Sequence, residues 1–262
     1  MKQSNLNISN NKVAVLIAVR MKSTRLPKKA LLIIEDQTLV EHIIDRMKHC
    51  KRVDFVMLCT STHPDDQILL KIADMKGVLS FAGSEDDVMQ RFLDAAKKVE
   101  ANIIVRVTGD NPLTSPSFID NAIDHHMKTN SDYTYTTELP QGTKGEVISI
   151  SALERAHKLA ENTNFSEYMT WYFIENPSFF KIEKVPVSED MKRPHYRLTV
   201  DTPEDFELIK IIYRKMYKPG KIISLKEVIK FLDNNPALLK INSNIKIKNM
   251  EDKVNVKLKC QK

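Results

Sequence analysis

The sequence lacks the features that mark membrane-spanning, secreted and disulfide-stabilised proteins. None of its apolar runs approaches the roughly 20 residues that a helix needs to cross a bilayer. Its polar start, MKQSNLNISNNK, has no apolar core of the kind found in signal peptides. Only three cysteines are present among 262 residues, and their scattered positions predict neither a disulfide framework nor a metal site. We therefore expect a cytoplasmic protein without membrane insertion.

A broad basic surface is also lacking, although the formal net charge is +6. Residues 1–12 contribute +2 and residues 243–262 contribute +4, so residues 13–242 are close to neutral. Nucleic-acid-binding domains cluster basic residues on one face, so no nucleic-acid partner is expected. We predict a disordered N-terminus, one globular domain and a basic tail over these three ranges. The tail is interpreted as a solubilising or poorly ordered extension, with a weak membrane-surface or partner contact as the alternative.

Buried strands alternate with amphipathic helices in the first half of the chain. Strong apolar strands are predicted at 13–19, 55–60 and 103–107. Helix starts carry cap residues between them, such as Thr38 with Glu41 three residues later. This alternation predicts an α/β fold with a mostly parallel sheet. The region 132–187 differs, and its short alternating strands and helices predict an appended small sheet and helix subdomain.

A strongly basic loop follows the first strand. Its cations are Arg20, Lys22, Arg25, Lys28 and Lys29. Five cations within ten residues repel one another unless an anion lies among them, and either a carboxylate patch or a phosphate chain could be that anion. The loop is not a P-loop, because the Gly-x4-Gly-Lys-Ser/Thr pattern is absent.

Two aspartates follow apolar runs that read as strands. Asp110 comes after the strand at 103–107, and Asp201 comes after the short run Leu198–Val200. Ligands of open parallel sheets bind at the carboxyl ends of the strands, so neighbouring aspartates there could hold Mg²⁺ together with substrate phosphates. Phosphoryl or nucleotidyl transfer would follow from that arrangement. The alternative is purely structural, with Asp201 as a helix cap and Asp110 in an Asx turn.

Four motifs taken together resemble the cytidylyltransferase family, which includes the synthetases of CMP-Kdo and CMP-sialic acid. They are AVRMKSTRLPKK at 18–29, GSEDDV at 83–88, RVTGDNPL at 106–113 and TVDTPEDF at 199–206. The motifs are most similar to the branch of spore coat polysaccharide biosynthesis protein F. The resemblance implies a Rossmann-like nucleotidyltransferase fold, CTP as substrate, Mg²⁺ as cofactor, release of pyrophosphate, and a homodimer formed through 132–187.

The resemblance also implies roles for individual residues. Those expected at the nucleotide are Ala18, Arg20, Ser23, Arg25, Lys29, Gly83, Ser84, Asp87, Arg91 and Asp110. Asp110 and Asp201 are the expected metal ligands, and together with Arg20 and Lys29 they form the expected catalytic set. Those expected at the acceptor are Lys144, Glu146, Glu167, Tyr168 and Arg197.

Departures from the family pattern are concentrated in the acceptor half. Lys144 replaces an aspartate and Tyr168 replaces a histidine, whereas in the nucleotide half Ala18 stands where glutamine is usual. Lys22 and Lys28 stand where glycine is common. We therefore predict transfer of CMP from CTP to an acidic sugar or to a phosphorylated or phosphonate acceptor. Lys144 is expected either to meet an extra carboxylate or phosphate of the acceptor or, as the alternative, to be structural or face solvent. Another nucleotide with a sugar 1-phosphate, or a non-catalytic CTP-binding scaffold, is the alternative.

Overall fold

The computed structural model describes residues 11–163, 166–245, 256 and 258–259. Most of the predicted disordered N-terminus and much of the predicted basic tail therefore lie outside the described residues. No helix in the described part is long and apolar enough to cross a membrane.

Strands and helices alternate through most of the described chain. The strands are β1 (Val13–Ala18), β2 (Ile33–Ile34), β3 (Gln37–Thr38), β4 (Phe55–Ser61), β5 (Leu79–Gly83), β6 (Ile103–Thr108), β7 (Tyr133–Tyr135), β8 (Glu146–Ser149) and β9 (Ile182–Lys184). The α-helices are α1 (Leu39–Met47), α2 (Gln67–Met75), α3 (Val88–Lys98), α4 (Pro116–Thr129), α5 (Ile150–Leu159), α6 (Met169–Ile174), α7 (Pro203–Met216) and α8 (Leu225–Asn234).

Seven of these strands form one sheet in the order β5-β4-β1-β6-β8-β7-β9. The four strands from β5 to β6 are parallel, β8 is antiparallel to both of its neighbours, and β9 is parallel to β7. The predicted α/β class with a mostly parallel sheet is confirmed. The strands predicted to form an appended sheet instead extend this sheet, because Glu146 of β8 pairs with Arg106 of β6.

Helices cover both faces of the sheet, and β1 is buried between them. Val13, Val15 and Ile17 pack into one apolar cluster. Ala14 and Leu16 pack into a second cluster on the other face. Alternate residues of a strand point to opposite faces, so a strand that is apolar at every position belongs at the centre of such a sheet.

The run Leu198–Val200 does not form a strand in the structure, contrary to the sequence reading. Its backbone is tied to two other segments instead. The Leu198 amide donates to the Gln141 carbonyl at 2.9 Å, and the Val200 amide donates to the Asp110 carbonyl at 2.8 Å. These bonds bring Asp201 beside Asp110 without a shared pair of strands.

Three described residues of the basic tail contact the body of the protein. Val256 and Leu258 are buried in the cluster that contains α5 and α6. The Lys259 amide donates to the Leu159 carbonyl at the end of α5 at 2.8 Å. This part of the tail is therefore packed against the domain rather than extended away from it.

Candidate active site

A cavity of about 390 Å³ opens at the carboxyl ends of β1 and β6. The basic loop forms one wall, and Glu167 and Tyr168 from the turn before α6 lie on another. Its cationic side chains are Arg20, Lys22, Arg25, Lys29, Arg91 and Arg106, and its carboxylates are Asp110, Glu167 and Asp201. The walls therefore carry a formal surplus of three positive charges, which favours an anionic ligand.

Lys29 joins the two aspartates at the floor of the cavity. Its ammonium donates to Asp110 Oδ2 at 2.9 Å and to Asp201 Oδ1 at 2.8 Å. A third bond reaches the Val200 carbonyl at 3.1 Å. Burial opposes the charged ammonium, but the two carboxylates outweigh burial and raise the pKa of Lys29. The ammonium is therefore firmly protonated between them.

Asp201 is not the cap of α7. The alternative interpretation of Asp201 as a helix cap is therefore wrong. Thr202 caps that helix, because its hydroxyl accepts from the Asp205 amide at 3.3 Å. The Asp201 carboxylate instead faces the cavity and binds Lys29 and Arg25. Burial alone would raise the pKa of Asp201, but these cations lower it. Asp201 is therefore ionised and directed towards the cavity.

The Asp110 carboxylate is also hydrogen-bonded to two side chains. Its Oδ1 atom accepts from the Thr108 hydroxyl at 2.6 Å, and its Oδ2 atom accepts from Lys29. Gly109 precedes it at a close approach of two strands, where an added Cβ would lie 2.5 Å from Val19 Cβ. Glycine there lets the chain turn beside β1 and place Asp110 over the cavity floor.

Arg197 lies behind Asp201 and does not line the cavity. Its Nε and Nη2 atoms each donate to a different oxygen of Asp205 at 2.8 Å. The same Nη2 atom reaches Asp201 Oδ2 at 3.1 Å. Arg197 therefore fixes the orientation of Asp201, whereas the sequence reading gave it a direct contact with the acceptor or a phosphate.

The other cations of the nucleotide half differ in how they are paired. Arg20 binds Glu167 across the cavity at 3.1 Å, and Arg25 binds Asp201 at 3.1 Å. Arg91 is only 5% exposed, and its side chain has no hydrogen-bond or ionic partner within the described residues. Burial lowers the pKa of Arg91. A buried guanidinium without a carboxylate is a favourable site for an anion that enters the cavity. Ala18 and Ser23 also line the cavity.

Gly83, Ser84 and Asp87 stand outside the cavity wall and support Arg91 instead. Asp87 caps α3 by accepting from the Gln90 amide at 2.9 Å, and its own amide donates to the Ser84 hydroxyl at 3.0 Å. A Cβ at Gly83 would lie 3.0 Å from Arg91 Cγ. These residues therefore set the start of α3 and leave room for the Arg91 side chain.

The predicted acceptor residues fall into two groups. Glu167 and Tyr168 line the cavity, whereas Lys144, Glu146 and Arg197 are not among the residues that line it. The Lys144 ammonium donates to the Thr136 carbonyl, and burial lowers the pKa of Lys144. This contact gives Lys144 a structural role, so the structure does not bring it to the place predicted for an acceptor contact.

Arg106 is a cavity residue to which the sequence reading gave no role. It donates to Glu146 Oε2 at 2.7 Å and to the Glu167 carbonyl at 3.2 Å, while its buried Nε atom has no hydrogen-bond partner among the described residues. Glu146 also accepts from the Tyr133 hydroxyl at 2.8 Å. The sequence signal that could have identified Arg106 is a lone cation in an otherwise apolar strand that ends at the cavity.

Asp66 is a second residue near the cavity to which the sequence analysis gave no role. It is buried, and its carboxylate accepts from the Met21 amide at 2.7 Å and from the Ser61 hydroxyl at 2.5 Å. Burial raises the pKa of Asp66, but these hydrogen bonds outweigh it, so the net pKa is lowered. Asp66 therefore anchors the start of the basic loop.

The profile of the cytidylyltransferase family matches residues 14–252. The chain belongs to the cytidylyltransferase family. This enzyme is 33% identical to spore coat polysaccharide biosynthesis protein SpsF of Bacillus subtilis, over 86% of this chain and 96% of that one. It is 37% identical to an uncharacterised protein of Methanocaldococcus jannaschii, over 92% and 98% of the two chains.

A solved cytidylyltransferase from Leptospira borgpetersenii shares the fold of this cytidylyltransferase. The TM-score is 0.83 at 31% identity, over 91% of this chain and all of the other. The family membership confirms the resemblance drawn from the four sequence motifs and the assignment as a nucleotidyltransferase enzyme.

Proposed function

We propose that this cytidylyltransferase transfers CMP from CTP to a small anionic acceptor, releases pyrophosphate, and thereby activates a building block for surface polysaccharide. The observation that carries the proposal is the centre formed by Lys29, Asp110 and Asp201 on the floor of a cationic cavity. The name of the Bacillus subtilis relative supports the polysaccharide setting. The predicted cytoplasmic location and homodimer remain part of this proposal.

The triphosphate binds along the basic loop. Lys22 and Arg91 line the cavity without a carboxylate partner in the described part of the chain, so both are free to receive phosphate oxygens. Arg20, Arg25 and Lys29 are already paired with carboxylates and exchange these partners for phosphates. Once there, they stabilise the negative charge that develops on the leaving pyrophosphate.

Asp110 and Asp201 fit the chemistry of a magnesium site. Both bind the same ammonium, so their oxygens are close enough to share one cation. Mg²⁺ is commonly held by one or two carboxylates together with substrate phosphates and waters. When bound, Mg²⁺ would supply charge neutralisation at the α-phosphate.

The acceptor lies on the opposite wall, beside Glu167, Tyr168 and Arg106. An oxyanion of the acceptor attacks the α-phosphorus of CTP, and the bond to the pyrophosphate oxygen breaks. Arg106 supplies a positive charge for an acceptor carboxylate, phosphate or phosphonate. An acidic sugar with a reactive anomeric hydroxyl and a phosphorylated or phosphonate acceptor therefore both suit this wall.

Pyrophosphate release tests the proposal. The enzyme is incubated with Mg²⁺, each nucleoside triphosphate in turn, and a panel of acidic sugars, sugar phosphates and phosphonates. We expect release with CTP and an anionic acceptor, and a loss of at least about a hundredfold in turnover for Asp110→Asn and for Asp201→Asn. Release only with another triphosphate and a sugar 1-phosphate would contradict the substrate assignment. CTP binding without release from any acceptor would support a scaffold.

A further inference from the structure

The ammonium of Lys29 uses its full hydrogen-bonding capacity at the two aspartates and the neighbouring Val200 carbonyl. An ammonium has three N–H donors. Here they reach Asp110, Asp201 and the Val200 carbonyl at 2.9, 2.8 and 3.1 Å. The side chain is 16% exposed, so water has little access to it. The ammonium is therefore held in place, and it moves only if other acceptors replace these three.

The two carboxylates are equally saturated. Asp110 receives the Thr108 hydroxyl on the oxygen that does not bind the ammonium, at 2.6 Å. Arg25 forms an ion pair with the Asp201 oxygen that binds the ammonium, at 3.1 Å, and Arg197 donates to the other Asp201 oxygen, at 3.1 Å. All four carboxylate oxygens therefore have a donor. Three cationic groups, Lys29, Arg25 and Arg197, lie against Asp201 and repel another cation.

A divalent cation and the ammonium compete for the same oxygens. Mg²⁺ binds carboxylate oxygens at about 2.0–2.1 Å and demands regular octahedral geometry. An ammonium hydrogen-bonded to one oxygen of each aspartate blocks that approach and adds like-charge repulsion at short range. A bare cation offers Lys29 no acceptor in exchange. A polyphosphate does, because its oxygens can accept all three N–H groups.

We propose that Lys29 closes Asp110 and Asp201 to divalent cations until a polyphosphate takes over its ammonium. The metal then enters with the nucleotide or after it, and not before. This inference rests on the proposed nucleotide and metal sites and adds an order of binding to them.

Mn²⁺ binding without nucleotide tests the inference, with free Mn²⁺ followed by electron paramagnetic resonance. Lys29→Met removes the ammonium and keeps the length of the side chain, whereas Lys29→Arg keeps a cation. Lys28→Met removes an exposed cation from the same loop that does not line the cavity. We expect Lys29→Met to bind one Mn²⁺ at least about tenfold more tightly than the wild type, a factor worth about 1.4 kcal/mol. Lys29→Arg and Lys28→Met should bind as weakly as the wild type.

Two further arms locate the cation and check the order. Adding Asp201→Asn to Lys29→Met should abolish the gained Mn²⁺ site, with circular dichroism and thermal melting confirming that each variant is folded. In the wild type, CTP should produce protein-bound Mn²⁺, seen as water proton relaxation enhanced above that of Mn²⁺–CTP alone. Equal Mn²⁺ affinity of wild type and Lys29→Met would overturn the inference while leaving the metal site intact. No Mn²⁺ binding in any state would overturn both, and the pyrophosphate assay would still judge cytidylyl transfer separately.

Discussion

Lys22 and Lys28 carry the same charge in the same loop but lie in different surroundings. Lys22 lines the cavity, whereas Lys28 is exposed outside it. Lys28 also has a φ of 54°, a left-handed conformation that costs a residue with a Cβ roughly 1–2 kcal/mol. The sequence could not distinguish these two lysines, because the distinction depends on loop geometry and not on charge. The positive φ of Lys28 also explains why a glycine is suited to position 28.

We predict that Lys22→Ala weakens CTP binding about tenfold, because a charge-assisted contact to phosphate is worth about 1.5–3 kcal/mol. Binding is measured by isothermal titration calorimetry at constant ionic strength. Lys28→Ala is the matched control and should leave the affinity unchanged. Equal losses in the two variants would mean that only the overall charge of the loop matters.

Relief of the strain at Lys28 gives a second prediction. Lys28→Gly should raise the free energy of unfolding by about 1 kcal/mol, because glycine adopts the left-handed conformation without a steric cost. Urea unfolding measures the change. Lys22 has no positive φ, so Lys22→Gly should lower stability or leave it unchanged. A loss of stability in Lys28→Gly would contradict the strain argument.

The elements that the sequence predicts correctly are those marked by short-range patterns, such as a helix cap or a continuous apolar run. The predicted cap of Thr38 with Glu41 is present as a capping box at α1, and the apolar runs at 13–19, 55–60 and 103–107 form β1, β4 and β6. The prediction of a strand at Leu198–Val200 is wrong, because the backbone of this run bonds to Gln141 and Asp110, which are distant in sequence. Local apolar character cannot reveal such pairings, although it correctly marked the aspartate that follows.

The link between the start of the basic loop and Asp66 is also non-local. Asp66→Asn should raise KM for CTP with a smaller effect on kcat, because Asp66 holds the Met21 amide and does not line the cavity. Steady-state kinetics separates the two constants. Asp65, its exposed neighbour, supplies the control variant Asp65→Asn, which should behave as the wild type. A fall in kcat alone would argue against an anchoring role.

Asp66 should also contribute to the dependence of stability on pH. Its pKa in the folded protein is lowered, so its stabilising effect is complete above the unfolded pKa of about 3.9. The effect is lost as the pH falls through that value towards the lower folded pKa. Unfolding free energies of Asp66→Asn and wild type should therefore converge below about pH 4, whereas a constant difference would contradict this origin.

At the scale of the whole molecule, one continuous sheet joins the nucleotide and acceptor halves. The antiparallel pairing of Arg106 with Glu146 places the second half directly beside the parallel strands, and Arg106 bonds both Glu146 and the segment that carries Glu167. The sequence predicted these strands but assigned them to an appended sheet, because strand order is not encoded in local pattern. The cavity is consequently shared by both halves.

The described tail residues Val256 and Leu258 pack against the body of the protein and do not line the cavity. Leu258→Ser should lower the free energy of unfolding by about 1.5–3 kcal/mol, because Leu258 is buried against the body of the protein. Urea unfolding measures the loss, and activity of the folded protein should be retained. Lys259→Ser is the control, because that side chain is exposed. Equal stability of both variants would mean that the tail is dispensable for the fold.

A crystal structure with CTP and Mg²⁺ tests the central claim most directly. The account predicts the triphosphate against the basic loop, Lys29 on phosphate oxygens, and one cation bound by Asp110 and Asp201. A triphosphate bound elsewhere would contradict the assignment of the cavity. A bound triphosphate with Lys29 still joined to both aspartates would contradict the exchange on which the proposed chemistry depends.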